Sequence, residues 1–430
     1  MKKKIVICLI IIILNILNCI SIFAAEEEKL IYYDESLKSE FENITAPNVL
    51  LGKTDTNEIL YGKNIDEKIY PASLTKLLTA ILVVENCELD EVAKVSENAV
   101  KSIPSGYVTA NLQIGEELTI EDLLYAMLVP SANDAANVLA EYVGGNIESF
   151  SSMMNTKAKE IGCTNSNFSN PSGLHQEEHI STAKDLFLIA NQAIKNETIR
   201  KIVKTVKYTL PQTDSYSGNP RIFTTTNYLI QPNLNKFYME NCIGGKTGYT
   251  EYAKNCVIEF AQQNDINLTT VVLGETAKVK GSKFIESKEM FEYIFKNYSE
   301  RKIAEKGKEY KKIEIKKAKR GEEILKTLYN SNLSILVKND LDEKIEENSE
   351  YYLIEAPINK GEIVGKINYK YGKNNYSIEI IAENDVKKSK ENLIINCIVI
   401  FIVIVIIYLL KKSNNKLGKH GEKYINKNLK

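Results

Sequence analysis

Three short motifs at fixed intervals constrain this chain more than its composition does: Ser73-Leu-Thr-Lys76, Ser131-Ala-Asn133 and Lys246-Thr-Gly248. Lys76 and Ser131 are 55 residues apart, and Asn133 and Lys246 are 113 apart. If the motifs act together, the fold must bring three distant segments to one place. A serine hydroxyl is a poor nucleophile until a base takes its proton. A lysine can be that base when burial beside other cations lowers its pKa. Lys76 follows Ser73 by three residues at an expected helix start, so the two share a helix face. The helix N-terminus adds N–H donors where an oxyanion would form. Alone, this motif reads better as an N-cap serine followed by a surface lysine.

Pro130 ends one helical pattern and Asp134 begins the next, so Ser131 and Asn133 lie in a tight link. A hydroxyl there can relay a proton to a leaving amine, and an amide can hold a peptide carbonyl. Alone, this motif too reads as an ordinary N-cap. Gly244-Gly-Lys-Thr-Gly248 opens a strand-like run. Its glycines let another extended backbone approach, so a peptide could pair along the strand while Lys246 and Thr247 meet a carboxylate. A phosphate-loop reading fails because Glu240 stands where the first glycine is required. Together the three motifs suit acyl transfer on a peptide that ends in a free carboxylate. His175-Gln-Glu-Glu-His179 matches a zinc-peptidase pattern. It follows the turn-rich Asn170-Pro-Ser-Gly-Leu174, with helical patterning only from Thr182, which favours a structural His179.

Alternation around residues 47–63 predicts a β-hairpin. Helical periodicity covers Ser73–Glu85, Ile120–Leu128, Asp134–Val143, Ser149–Ile161, Thr182–Ile194 and Ser282–Tyr298. Strand-like runs fall at Ile202–Leu210, Asn255–Ala261 and Leu268–Leu273. Strands at both ends with helices between predict an α+β domain whose sheet joins distant segments. After a Lys/Glu-rich stretch, Glu300–Lys319, short alternating runs at Leu333–Val337, Tyr351–Glu355, Glu362–Tyr369 and Tyr376–Ile381 predict a small all-β domain.

The ends differ from this body. Lys2–Lys4, an apolar run from Ile5 to Phe23 and Ala24-Ala25 read as a secretory signal over residues 1–25. The 18 residues Leu393–Leu410 are apolar all round and, at ~1.5 Å each, long enough to span a bilayer core. The basic tail from Lys411 sets the orientation, tail inside and body outside. The expected order is therefore signal peptide 1–25, catalytic domain 26–299, β domain 300–384, charged linker 385–392, transmembrane helix 393–410 and cytoplasmic tail 411–430. The net charge of −1 falls to about −10 for residues 5–410, which argues against nucleic-acid binding. The four body cysteines, Cys87, Cys163, Cys242 and Cys256, form no short metal-ligand pattern and are too sparse for a disulfide scaffold.

The motifs, in this order, resemble the penicillin-binding serine D-Ala-D-Ala carboxypeptidase family of the penicillin-recognising serine enzymes. Tyr70-Pro-Ala-Ser-Leu-Thr-Lys76, Gly245-Lys-Thr-Gly-Tyr-Thr250 and Asn170-Pro-Ser-Gly-Leu174 followed by His179-Ile-Ser-Thr-Ala183 carry the likeness over about residues 45–298. Ala356-Pro-Ile-Asn-Lys-Gly-Glu-Ile-Val-Gly-Lys366 extends it to the β domain. The resemblance implies a β-lactamase/transpeptidase-like catalytic domain that trims D-alanine from peptidoglycan pentapeptide stems and is acylated by penicillin. It implies Ser73 as nucleophile, Lys76 as its base and Ser131 as relay to the leaving D-alanine. Asn133 would orient the substrate amide, and Lys246 and Thr247 would bind its carboxylate. Gly248 would lie against the substrate backbone, and the N–H groups of Ser73 and Tyr249 would form the oxyanion hole. No cofactor or metal is implied. The partners implied are stem peptides, β-lactams and the cell membrane, with the catalytic domain outside the cytoplasm. The alternatives are a D,D-endopeptidase or weak β-lactamase on the same scaffold, or a non-catalytic wall-binding protein.

Overall fold

The alternating runs on either side of the Lys53–Glu58 turn pair as an antiparallel hairpin, Asn48–Lys53 with Ile59–Lys63. In this computed structural model, which describes residues 36–277, 279–340, 344–389 and 397–411, that hairpin joins a distant part of the chain. Asn48–Lys53 pairs with Ile266–Glu275, which pairs with Lys254–Gln263, which pairs in turn with Cys242–Thr250. The resulting five-stranded antiparallel sheet has Cys242–Thr250 at one edge. An edge strand keeps a row of unpaired backbone groups, the condition for a peptide to add alongside it.

Between the two halves of the sheet the chain forms a helical layer. Lys76–Asn86 is buried along nearly its whole length, from Lys76 to Val83. Asn133–Gly144 and Ala183–Ile194 pack around it within one apolar core that includes Leu77, Leu78, Leu123, Leu139 and Phe187. Thr119, Asn146, Thr182 and Asn196 cap their helices by accepting backbone N–H bonds. Ser282–Asn297 packs on the sheet strands.

The chain divides into two units, one through Ser299 with Lys338–Asp340, the other from Glu300 to Val337 together with the described residues after 340. The second contains a five-stranded antiparallel sheet, ordered Glu309–Glu314, Ile324–Tyr329, Asn374–Ala382, Ile363–Tyr371, Glu346–Tyr351. Its core includes Leu325, Val364, Ile367 and Ile380.

Several elements differ from the sequence reading. Ile202–Leu210 is not one strand: Asn196 caps a helix, Glu197–Val203, and the strand is only Lys207–Leu210. The charged stretch after Glu300 holds the strand Glu309–Glu314, whose exposed charged residues on both faces hide the pattern. The expected strand at Tyr351–Glu355 lies earlier, at Glu346–Tyr351. Residues 397–411 are helical, and among the described residues no helix is long and apolar enough to cross a membrane. The signal segment 1–25, the start of the expected span and most of the basic tail lie outside the described residues.

Candidate active site

Pro71 leads into a 3-10 turn, Ala72–Thr75, and the α-helix begins at Lys76. Ser73 thus sits on a tight turn at a helix entrance rather than inside the helix. Ala72 just before it has φ of 47°, a left-handed conformation rare for a residue with a Cβ. A neighbouring turn supports it. Asn170 Oδ1 accepts from the N–H groups of Ser172 (3.2 Å) and Gly173 (2.8 Å), folding Asn170–Leu174 tightly. Gly173 has φ of 83°, and a Cβ there would overlap the Ala72 carbonyl oxygen, so only glycine fits. Thr79 Oγ1 donates to Pro171 O at 2.7 Å and ties this turn to the helix.

Lys76 is fully buried, an unusual place for a lysine. Its Nζ lies 2.9 Å from Ser73 Oγ, 2.7 Å from Asn133 Oδ1 and 2.6 Å from Ser172 O. Burial, reinforced by the charge of Lys246, pushes its pKa well below the usual lysine value. In the neutral form Nζ has two hydrogens and one lone pair. Asn133 Oδ1 and Ser172 O can only accept, so they take both hydrogens. The lone pair is left for the Ser73 hydroxyl, which can also donate. This is the arrangement a general base requires.

Ser131 has φ of 73° and does not cap the helix that follows; Ala132 occupies that place without a side-chain bond. The strained residue instead aims its hydroxyl at Lys246, whose Nζ donates to Ser131 Oγ and to Thr247 O, both at 2.8 Å. Asn133 Nδ2 donates to Val108 O at 3.0 Å. Asp134 Oδ1 accepts from Ala110 N at 2.8 Å, so the loop over the cleft is fixed from the same helix end. Burial beside Lys283 pulls the Lys246 pKa down to about 7.

The three motifs therefore meet in one cleft of about 560 Å³, lined among others by Ser73, Ser131, Asn133, Thr247, Gly248 and Tyr249. Lys76 and Lys246 lie beneath it, both buried. A Cβ on Gly248 would come within 3.2 Å of Ser73 N, so the strand passes close to the nucleophile turn. Tyr249 follows on the edge strand with its side chain 63% exposed.

His179 is buried, with Nε2 2.8 Å from Thr75 Oγ1 and Nδ1 accepting from Ser169 N at 3.1 Å. Both ring nitrogens are thus engaged within the protein, and burial lowers its pKa to about 3. His175 instead stacks on Tyr252 at 3.9 Å. The pair does not converge as a metal site would need.

Two residues of this region carry no motif. Lys283 lines the cleft, is 8% exposed, and donates to Cys256 O at 3.2 Å. Glu259 lies fully buried beneath the Lys246 strand, where Gly245 leaves room for its carboxyl group. It accepts from Asn227 Nδ2 at 2.6 Å, and burial raises its pKa well above the usual carboxylate range. Asn227 shapes the loop whose Thr226 hydroxyl bonds the Thr247 hydroxyl.

With this geometry in view, the chain can be set beside known proteins. Residues 35–277 match the family described as D-alanyl-D-alanine carboxypeptidase, and residues 298–388 match the C-terminal domain of penicillin-binding protein 5. The D-alanyl-D-alanine carboxypeptidase DacF of Bacillus subtilis is 31% identical over 357 residues, covering 80% of this chain and 86% of that one. A D-alanyl-D-alanine endopeptidase of Escherichia coli is 29% identical over 245 residues, 55% of this chain and 73% of that one. Penicillin binding protein 5 of Haemophilus influenzae superposes with a TM-score of 0.70 at 25% identity, over 80% of this chain and 98% of that one. The chain has the α+β fold of the penicillin-binding enzymes with a C-terminal β domain, and it belongs to the D-alanyl-D-alanine carboxypeptidase family of serine peptidases.

Proposed function

We propose that the protein removes the terminal D-alanine from peptidoglycan pentapeptide stems through an acyl-enzyme, and that the named cleft residues carry the steps. The observation behind this reading is the 2.9 Å approach of Lys76 Nζ to Ser73 Oγ, on a lysine whose other two contacts are pure acceptors. Neutral Lys76 takes the Ser73 proton as Oγ attacks the carbonyl of the penultimate D-alanine. The N–H groups of Ser73 and Tyr249 hold the oxyanion. Lys76 gives that proton back through the Ser131 hydroxyl to the leaving nitrogen, the C–N bond breaks to release D-alanine, and Lys76 is neutral again. Water then hydrolyses the ester, Lys76 again taking a proton, and Ser73 is regenerated. Lys246 holds the terminal carboxylate with Thr247, and Lys283 adds a second positive charge nearby. Burial lowers the pKa of both lysines, and for Lys76 this favours the neutral form that the base role needs.

The same machinery would be acylated by β-lactams. The E. coli endopeptidase relative favours a second reading, cleavage of a D,D cross-link. Incubation with a pentapeptide stem and with a cross-linked dimer separates the two. Release of D-alanine from the stem with the dimer left intact supports the carboxypeptidase; dimer cleavage without D-alanine release would overturn it.

We further infer that residues 1–25 direct export and that Leu393–Leu410, followed by Lys411, Lys412 and Lys416, anchors the protein with its catalytic domain outside the cytoplasm. Length, apolarity and flanking charge support this reading. Release of the protein from membranes by high salt alone would contradict it.

A further inference from the structure

The cleft holds one carboxylate that the reaction steps leave unused. Glu251 is the only acidic residue among the described residues that line it; the other charged ones are Lys280 and Lys283. Glu251 is exposed, and it makes no hydrogen bond or ion pair with any described residue. It follows Thr250, the last residue of the edge strand, at the turn into Lys254–Gln263.

Its position along that strand gives it a meaning. A substrate antiparallel to Cys242–Thr250 has its carboxylate at Lys246 and Thr247 and its scissile carbonyl at Tyr249. A strand advances about 3.3 Å per residue. The next residue upstream, the one preceding D-Ala-D-Ala, is then abreast of Thr250 and Glu251. Along the strand Lys246 marks the carboxylate end and Glu251 follows the other end, with Lys280 and Lys283 also lining the cleft. A peptide with a terminal carboxylate and an upstream ammonium group matches that polarity.

We propose that Glu251 is a specificity subsite for a primary ammonium group on the side chain of the residue preceding D-Ala-D-Ala. This rests on the carboxypeptidase reading and deepens it. L-Lysine and meso-diaminopimelate both present such a group, and the carboxylate reads the charge they share. The contact is an ion pair at an exposed site, so its effect is a modest preference that salt weakens.

The test uses three peptides that differ only before D-Ala-D-Ala: L-lysine, meso-diaminopimelate and Nε-acetyl-L-lysine. D-Alanine release gives kcat/KM for each with the wild type, Glu251→Gln and Glu251→Lys, and penicillin acylation of each variant reports an intact site. The wild type should prefer both ammonium peptides over the acetylated one by about two- to fivefold at low ionic strength. Glu251→Gln should bring that ratio to about one, Glu251→Lys should invert it, and 1 M salt should remove the wild-type preference. A ratio unchanged by Glu251→Gln overturns the proposal. So does a preference for diaminopimelate with lysine and acetyl-lysine treated alike, since the shared ammonium would not be what is read. Absence of D-alanine release from all three peptides overturns the carboxypeptidase reading, and the subsite with it.

Discussion

Lys246 Nζ lies 2.8 Å from Ser131 Oγ, which links the cation meant for the substrate carboxylate to the hydroxyl meant for the leaving amine. Binding and proton relay therefore share one contact. A carboxylate drawn to Lys246 also arrives beside the donor its departing nitrogen needs.

Replacing Lys246 with Ala should cut kcat/KM on a free-acid peptide by about ten- to a few-hundredfold, the range for losing a charged hydrogen bond of ~1.5–3 kcal/mol. The loss should shrink on the C-terminally amidated peptide, which never used the charge. Equal losses on both peptides would assign Lys246 to the relay or the fold instead.

The same residue sets a pH dependence. Its pKa of about 7 in the free site means that the ammonium form is lost as pH rises through that value. Since kcat/KM reports the free enzyme, it should fall above about pH 7 for the free acid, and the amidated peptide should lack that limb. Parallel pH profiles for the two peptides would show that the limb belongs to another group.

Asn133→Asp places a carboxylate where Oδ1 now stands 2.7 Å from Lys76 Nζ. An opposite charge favours the protonated amine and raises its pKa. The base form then appears only at higher pH, so the rising limb of the penicillin acylation rate should move to more alkaline pH. An unmoved limb would mean that Lys76 is not the group titrating there.

The three motifs and the helices beneath them were legible because their signals are local. Ser73-x-x-Lys76 needs only a turn and a helix start, and Ile120–Leu128 has the same bounds in the structure as in the sequence reading. The resemblance also identified Asn170–Leu174 as part of the pattern. What the turn does, holding Ala72 in its conformation and presenting Ser172 O to Lys76, is a tertiary fact. Lys283 and Glu259 were not legible for the same reason. Lys283 lies in Gly281-Ser-Lys-Phe, which reads as an ordinary helix start, and only the packing of that helix on the sheet buries it. Glu259 interrupts a strand that otherwise reads as apolar, and the glycine across from it gave no cue to its partner. The strand Glu309–Glu314 was hidden by exposed lysines and glutamates on both faces.

Glu259 yields a stability prediction whose sign is fixed by burial. Its folded pKa lies above the ordinary 4.5, so above pH 4.5 the unfolded chain releases a proton that the folded chain retains. Stability therefore declines as pH rises from there. Glu259→Gln, close in shape to the neutral acid, should unfold at a higher temperature than the wild type at pH 8, with the difference vanishing near pH 4. A difference that grows toward acid would indicate an ionised carboxylate in the folded protein.

The central claim is that Ser73, activated by Lys76, forms the covalent intermediate. Its most direct measurement is mass mapping of the protein after incubation with penicillin. The account predicts one added acyl group, on the peptide that contains Ser73, lost in Ser73→Ala while that variant keeps the wild-type unfolding profile. An adduct on any other residue, or undiminished labelling of Ser73→Ala, would contradict it.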